Sequence, residues 1–206
     1  MIRSLATGKS AQDSVLSRFK HLCLTPLLFV GLILATLPLS GQAAPPNTKL
    51  NQIKTAFIYN IAKFVTWPDD VHEIRPATLS ICFYRKDYLG RGFSSIKGKH
   101  IKQRRVEKHI IDSSSGDSNC DILLIKASQL SRFNAESAQL STKPVLTIAD
   151  LTDRHPDQHV YPGISMNLVR QGKMIGFEVN LTEVGARRLT MSSELLKLAR
   201  IIGPEH

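Results

Sequence analysis

Recognisable catalytic machinery is what this chain lacks. Its 206 residues contain no glycine-rich phosphate loop, no G-x-S-x-G turn and no H-E-x-x-H helix. Cysteine is scarce, with only Cys23, Cys82 and Cys120 and no C-x-x-C pair, which argues against a thiol oxidoreductase. The longest apolar run, Leu22 to Leu39, is broken by Pro26, Gly31 and Pro38 and barely reaches the ~20 residues that a membrane span requires.

That broken run has a use. Lys20 and His21 precede it, and the small and polar residues Ser40-Gly-Gln-Ala-Ala44 follow. A basic flank, a short apolar core and a small-residue exit form the pattern of a secretory signal peptide, with the cut expected after Ala43. The alternative is an uncleaved anchor, and either way the folded part lies outside the cytoplasm. The domain reading is therefore a signal peptide over 1–43 and one α/β domain over 44–206.

The charge balance must be read with that export in mind. Lys and Arg number 27 against 17 Asp and Glu. Arg3, Lys9, Arg18, Lys20 and Asp13 fall in the leader, which leaves 23 basic and 16 acidic residues beyond it. In a cytosolic protein such a surplus would point to nucleic acid. Export argues against that partner and leaves anionic headgroups, an acidic partner surface or simple solubility. Cleavage would also leave Cys82 and Cys120, an even number that in an oxidising compartment reads as one disulfide. Two buried free thiols are the alternative. A bridge closing that loop would contribute about 4 kcal/mol in the chain-entropy account.

Leu50, Ile53, Phe57, Ile61 and Phe64 recur at steps of three and four, with Ala56 and Asn60 on the same stripe. This predicts a helix with one apolar face, capped by Asn47 or Thr48 and ended by Trp67-Pro68. Thr78–Tyr84 alternates as a strand. Asp87–Ile96 reads as a short helix, His100–Ile111 as a basic strand and Ser113–Ser118 as a loop. Ile122–Ile125 is apolar on both faces, as in an interior strand. Ser128–Leu140 reads as a helix and Pro144–Ile148 as a strand, so the three form a parallel crossover. Ile164–Val169 and Met174–Asn180 make a hairpin around Arg170-Gln-Gly-Lys173. Helices are expected over Thr182–Leu189 and Ser192–Ile202, the last with Met191, Leu195, Leu198 and Ile202 facing inward. The fold class is α/β: a single compact domain with a mixed β-sheet flanked by α-helices.

Asp150, Asp153, His155, Asp157 and His159 put five metal-ligand residue types in ten positions. Pro156 keeps the histidines from standing one turn apart on a helix, and a solvated polar loop explains them as well. Lys97–His109 is a basic run, readable as a docking patch or as an edge strand guarded by charge. On Met174–Asn180, Gly176, Glu178 and Asn180 share the face opposite Ile175, Phe177 and Val179. They line a ligand pocket, cap neighbouring helices or pair at an edge. Asn60 and Trp67 read as structural.

Two stretches together resemble the YfiR family of exported regulators of cyclic-di-GMP signalling. One is Lys54-Thr-Ala-Phe-Ile-Tyr-Asn-Ile-Ala-Lys-Phe-Val-Thr-Trp-Pro68. The other is Gly176-Phe-Glu-Val-Asn-Leu181 with the segment from Ala186 to Ile202. Between them Ile81-Cys-Phe83, Cys120–Ile125 and Val145–Asp150 fall in the family's order, so the likeness covers about 49–202. It implies a small periplasmic protein that acts by binding, with no enzyme activity and no cofactor. It also implies a Cys82–Cys120 disulfide. Asp150, Arg187 and Arg188 lie in the matching segments and join Glu178 and Asn180 as candidate ligand- or partner-binding residues.

The implied partner is the periplasmic domain of an inner-membrane diguanylate cyclase or sensor kinase, with an outer-membrane lipoprotein and a homodimer as further partners. The family's second cysteine pair is missing from 150–163, and Tyr161-Pro-Gly-Ile-Ser-Met-Asn167 departs from its pattern, which bears on partner choice. A ligand-sensing module acting on a histidine kinase is the alternative function. An exported hydrolase built on Asp150–His159 is the enzyme-class alternative.

Overall fold

The computed structural model describes residues 46–69, 71, 77–113, 119–140, 143–154 and 158–203. The leader over 1–43, most of the expected loop Ser113–Ser118, and His155, Pro156 and Asp157 lie outside the described residues. Helix α1 spans Pro46–Lys63 and begins upstream of the expected caps, with proline in its first turn, where a missing N–H costs nothing. Strands follow at β1 (Val65–Thr66), β2 (Thr78–Tyr84), β3 (His100–Ile101), β4 (Arg104–Ile111) and β5 (Ile122–Lys126). After α2 (Leu130–Glu136) come β6 (Leu146–Asp150), β7 (Met166–Gln171) and β8 (Met174–Asn180). The chain closes with α3 (Leu181–Ala186), β9 (Thr190–Met191), α4 (Ser193–Leu196) and β10 (Arg200–Ile202).

One eight-stranded sheet has the order β10-β8-β7-β6-β5-β2-β4-β3, and β1 pairs with β9 in a separate two-stranded ribbon. The run from β4 through β2, β5 and β6 to β7 is parallel, whereas β8 turns back on β7 and β3 on β4. This is the mixed α/β architecture expected. Strand β5 is buried on both faces, as its unbroken apolar sequence requires. The β7–β8 hairpin forms at the expected place, and Gly172 supplies the positive φ its tight turn needs.

Three expectations are corrected. The basic stretch 100–111 is not one strand but a hairpin, turned at Lys102, whose φ is 53°. The last helix stops at Leu196, and Arg200–Ile202 instead forms β10, parallel to β8. The open backbone edge of β8 offers hydrogen bonds that a continuing helix would leave unmet. Leu198, expected inside, is consequently 77% exposed.

The third correction concerns α1. Its buried positions are Lys54, Thr55, Ile58, Ile61 and Ala62, one step round from the predicted stripe, while Ile53 and Phe64 are 41% and 43% exposed. The helix carries two adjacent apolar stripes, and periodicity alone ranks them equally. An ion pair decides between them: Lys54 Nζ lies 2.8 Å from Asp150 Oδ2, both side chains buried.

At the start of β5 sits Asp121, fully buried. Its carboxylate accepts hydrogen bonds from Ser80 N at 2.7 Å and from the buried Arg104 guanidinium at 2.7 Å. Its carbonyl accepts from Trp67 Nε1 at 3.2 Å and from Leu146 N at 2.9 Å. Arg104 also donates to Thr78 O and lies over the Trp67 ring. Trp67 is structural, as its position suggested. Removing one member of a buried ion pair leaves an uncompensated charge and costs about 3–5 kcal/mol. Asp121→Ala is therefore expected to destabilise by that amount in urea unfolding. The double variant Asp121→Leu, Arg104→Met should recover most of the loss. A single-variant cost below about 1 kcal/mol would contradict the pairing.

Candidate functional site

The sequence candidates separate onto two faces of the sheet. Asp150 belongs to the α1 face, where Lys54 pairs with it and also lies 3.5 Å from Asp153. Thr152 completes the pocket by donating its backbone N–H and hydroxyl to Asp150 Oδ1. Next to this group the Tyr88 phenol has a pKa raised well above its usual value, first by burial and then by the Asp150, Asp153 and Asp87 carboxylates. It stays neutral at any physiological pH.

Glu178 and Asn167 lie on the opposite face, since their strand neighbours Phe177, Val179, Met166 and Leu168 belong to the α1 core. Glu178 is buried and accepts from Asn167 Nδ2 at 2.9 Å. It also meets His159 Nδ1 at 2.9 Å and the Arg200 guanidinium of β10. Asn167 further donates to His159 O. Asp150 and His159 therefore do not come together: the ten-residue cluster is divided by the sheet. Among the described residues no group of three His, Cys, Asp or Glu side chains is arranged to hold a metal ion.

The remaining candidates have internal partners. Asn180 is the N-cap of α3, accepting from Thr182 N and Glu183 N. Arg187 is fully buried and donates to Gly163 O at 3.0 Å, while Glu183 accepts from Gly163 N. Burial lowers the Arg187 pKa and Glu183 opposes that shift, so the side chain remains a cation holding the 161–165 turn. Arg188 points the other way, exposed, with a left-handed backbone at φ 55°. Adjacent arginines thus hold an internal and an external position, which their spacing could not foretell.

Cys82 and Cys120 form the disulfide, tying mid-β2 to the residue before Asp121. Beside it is an open cleft of about 460 Å³ with Ser80, Glu107, His109 and Asn119 among its walls. A second depression of about 290 Å³ runs along the outer side of α1, lined by Ile53, Phe57, Asn60 and Phe64 and by Phe177, Leu195 and Leu198. The sequence reading missed this groove by assigning its helix residues to the core. The signal was present as the second apolar stripe of α1.

With the bridge closing 38 residues of separation, replacing both cysteines by serine is expected to lower stability by about 4 kcal/mol. Thermal unfolding of the oxidised protein against the double-serine variant measures this. Equal midpoints would show that the bridge constrains nothing.

A family model described as YfiR/HmsC-like matches residues 51–200, from the second turn of α1 to the start of β10. No curated protein matches the chain. Membership of this regulatory, non-catalytic family is consistent with a periplasmic role in cyclic-di-GMP signalling, and the disulfide fits an oxidising compartment. The match covers well over half of the sequence: the chain belongs to the YfiR/HmsC-like family.

Proposed function

We propose that this protein is exported by a cleaved signal peptide over 1–43 and represses a membrane diguanylate cyclase by binding that enzyme's periplasmic sensor domain. The observation that carries the reading is the family match over nearly all of the described fold. The site geometry supports it. Glu178, Asn180, Asp150 and Arg187 are engaged by groups of the protein itself, whereas the groove along α1 is open and apolar, a surface suited to a protein partner.

A regulator of this kind works only through differential affinity for two states of its target. By holding the sensor domain in its inactive state it shifts the cyclase population, and about 1.4 kcal/mol of preference changes the ratio tenfold.

Deleting the gene is expected to raise cellular cyclic-di-GMP. The exported protein should reverse the rise, and a form lacking residues 1–43 should not. An unchanged level after deletion would contradict the repressor and favour a ligand-sensing module acting on another receptor. Rescue by the leaderless form would contradict action outside the cytoplasm.

A further inference from the structure

The outer groove of α1 carries a charge pattern as well as an apolar one. Along the helix the outer stripe reads Lys49, Ile53, Ala56 with the half-buried Phe57, Asn60, then Lys63 with Phe64, and α1 contains no Asp or Glu at all. Lys63 Nζ donates to Asn60 Oδ1 at 3.0 Å, so its ammonium stands on the groove's border. Across the groove, the exposed Lys197 falls in the chain between the wall residues Leu195 and Leu198. The single carboxylate of α4, Glu194, turns to its own helix start. There backbone N–H and Ser192 lower its pKa and hold it ionised. Ile201 of β10 extends the apolar floor, since it pairs with Val179 on the same sheet face and is 48% exposed.

We propose that this groove receives an amphipathic helix whose apolar stripe is flanked by Asp or Glu, carried by the protein that this chain regulates. The inference rests on the regulatory reading above and adds the chemistry of the partner. Three features select this occupant. The groove is concave, which suits the ridge of side chains along a helix rather than insertion into a bilayer. Its stripe from Lys49 to Phe64 is about 22 Å long, the length of roughly fifteen helical residues. Its rim is basic, and a two-fold contact between copies of this chain would set Lys49, Lys63 and Lys197 of each against a largely basic rim.

The test places the photo-reactive amino acid p-benzoylphenylalanine at position 198 of the full chain in cells, with position 174 on the β7–β8 turn as the exposed control. Leu198 is 77% and Met174 72% exposed, so neither replacement disturbs the core. After irradiation, mass spectrometry of the adduct identifies the attached segment. The expected segment is a helix with leucine-like residues at steps of three and four and acidic flanks. Lys63→Glu with Lys197→Glu should reduce its yield about tenfold, with the unfolding midpoint unchanged.

An adduct with a second copy of this chain, an adduct with lipid, or a yield no higher than from position 174 would each overturn the proposal. The two readings fail separately. A rise in cyclic-di-GMP on gene deletion together with any of those adducts would sink the groove assignment alone. The acidic helix captured with no cyclic-di-GMP response would sink the repressor reading and leave the occupant standing.

Discussion

A carboxylate buried at the first turn of the central strand constrains most of this fold. Asp121 has no access to water, so its polar partners must come from the protein. They reach the carboxylate from β2 through Ser80 and from β4 through Arg104, while Trp67, just after β1, donates to the Asp121 carbonyl. The next residue back, Cys120, is bonded to Cys82 of β2. The point where β5 enters beside β2 is thus fixed covalently, by ion pairing and by backbone hydrogen bonds. Here the connection from β4 must pass across β2, so the local constraint selects the strand order.

A second buried charge pair governs the surface. Lys54 reaches Asp150 at the end of β6, and this sets the rotation of α1 on the sheet. Rotation by one residue, about 100°, decides which of two apolar stripes is covered. The stripe containing Ile58, Ile61 and Ala62 packs, and the one containing Ile53 and Phe64 stays open. Leaving Ile53 and Phe64 41% and 43% exposed forfeits part of the roughly 1.5–3 kcal/mol that full burial of each would give. In the proposed complex a partner's contact recovers that loss, and the ion pair that orients the helix leaves this face open.

Much of this was legible in the sequence where one signal dominated. The two-faced apolar run Ile122–Ile125 is an interior strand, the alternation in Thr78–Tyr84 is β2, and the Gly172 turn is a hairpin. The disulfide agrees with the even cysteine pair expected beyond the leader, and the family resemblance agrees with the match over 51–200. Legibility failed where tertiary partners outweigh local pattern. Arg104 looked like one more surface cation in a basic run, but a buried carboxylate 17 residues away draws it inside. The segment after Leu196 keeps a helical spacing, yet the free edge of β8 takes it as strand. Asp150 and His159 are near in sequence but have opposite faces of the sheet between them, which no spacing rule reports.

The function proposed for this protein is regulation by fit. Most of the polar sequence candidates hold loops, caps and helices, and an open apolar groove runs along α1. Calorimetric titration of the oxidised protein with the periplasmic domains of its host's membrane diguanylate cyclases tests that account most directly. The account predicts saturable one-to-one binding to one of them at micromolar affinity or better, with the negative heat-capacity change of apolar burial. Absence of binding to every such domain up to about 100 µM would contradict it.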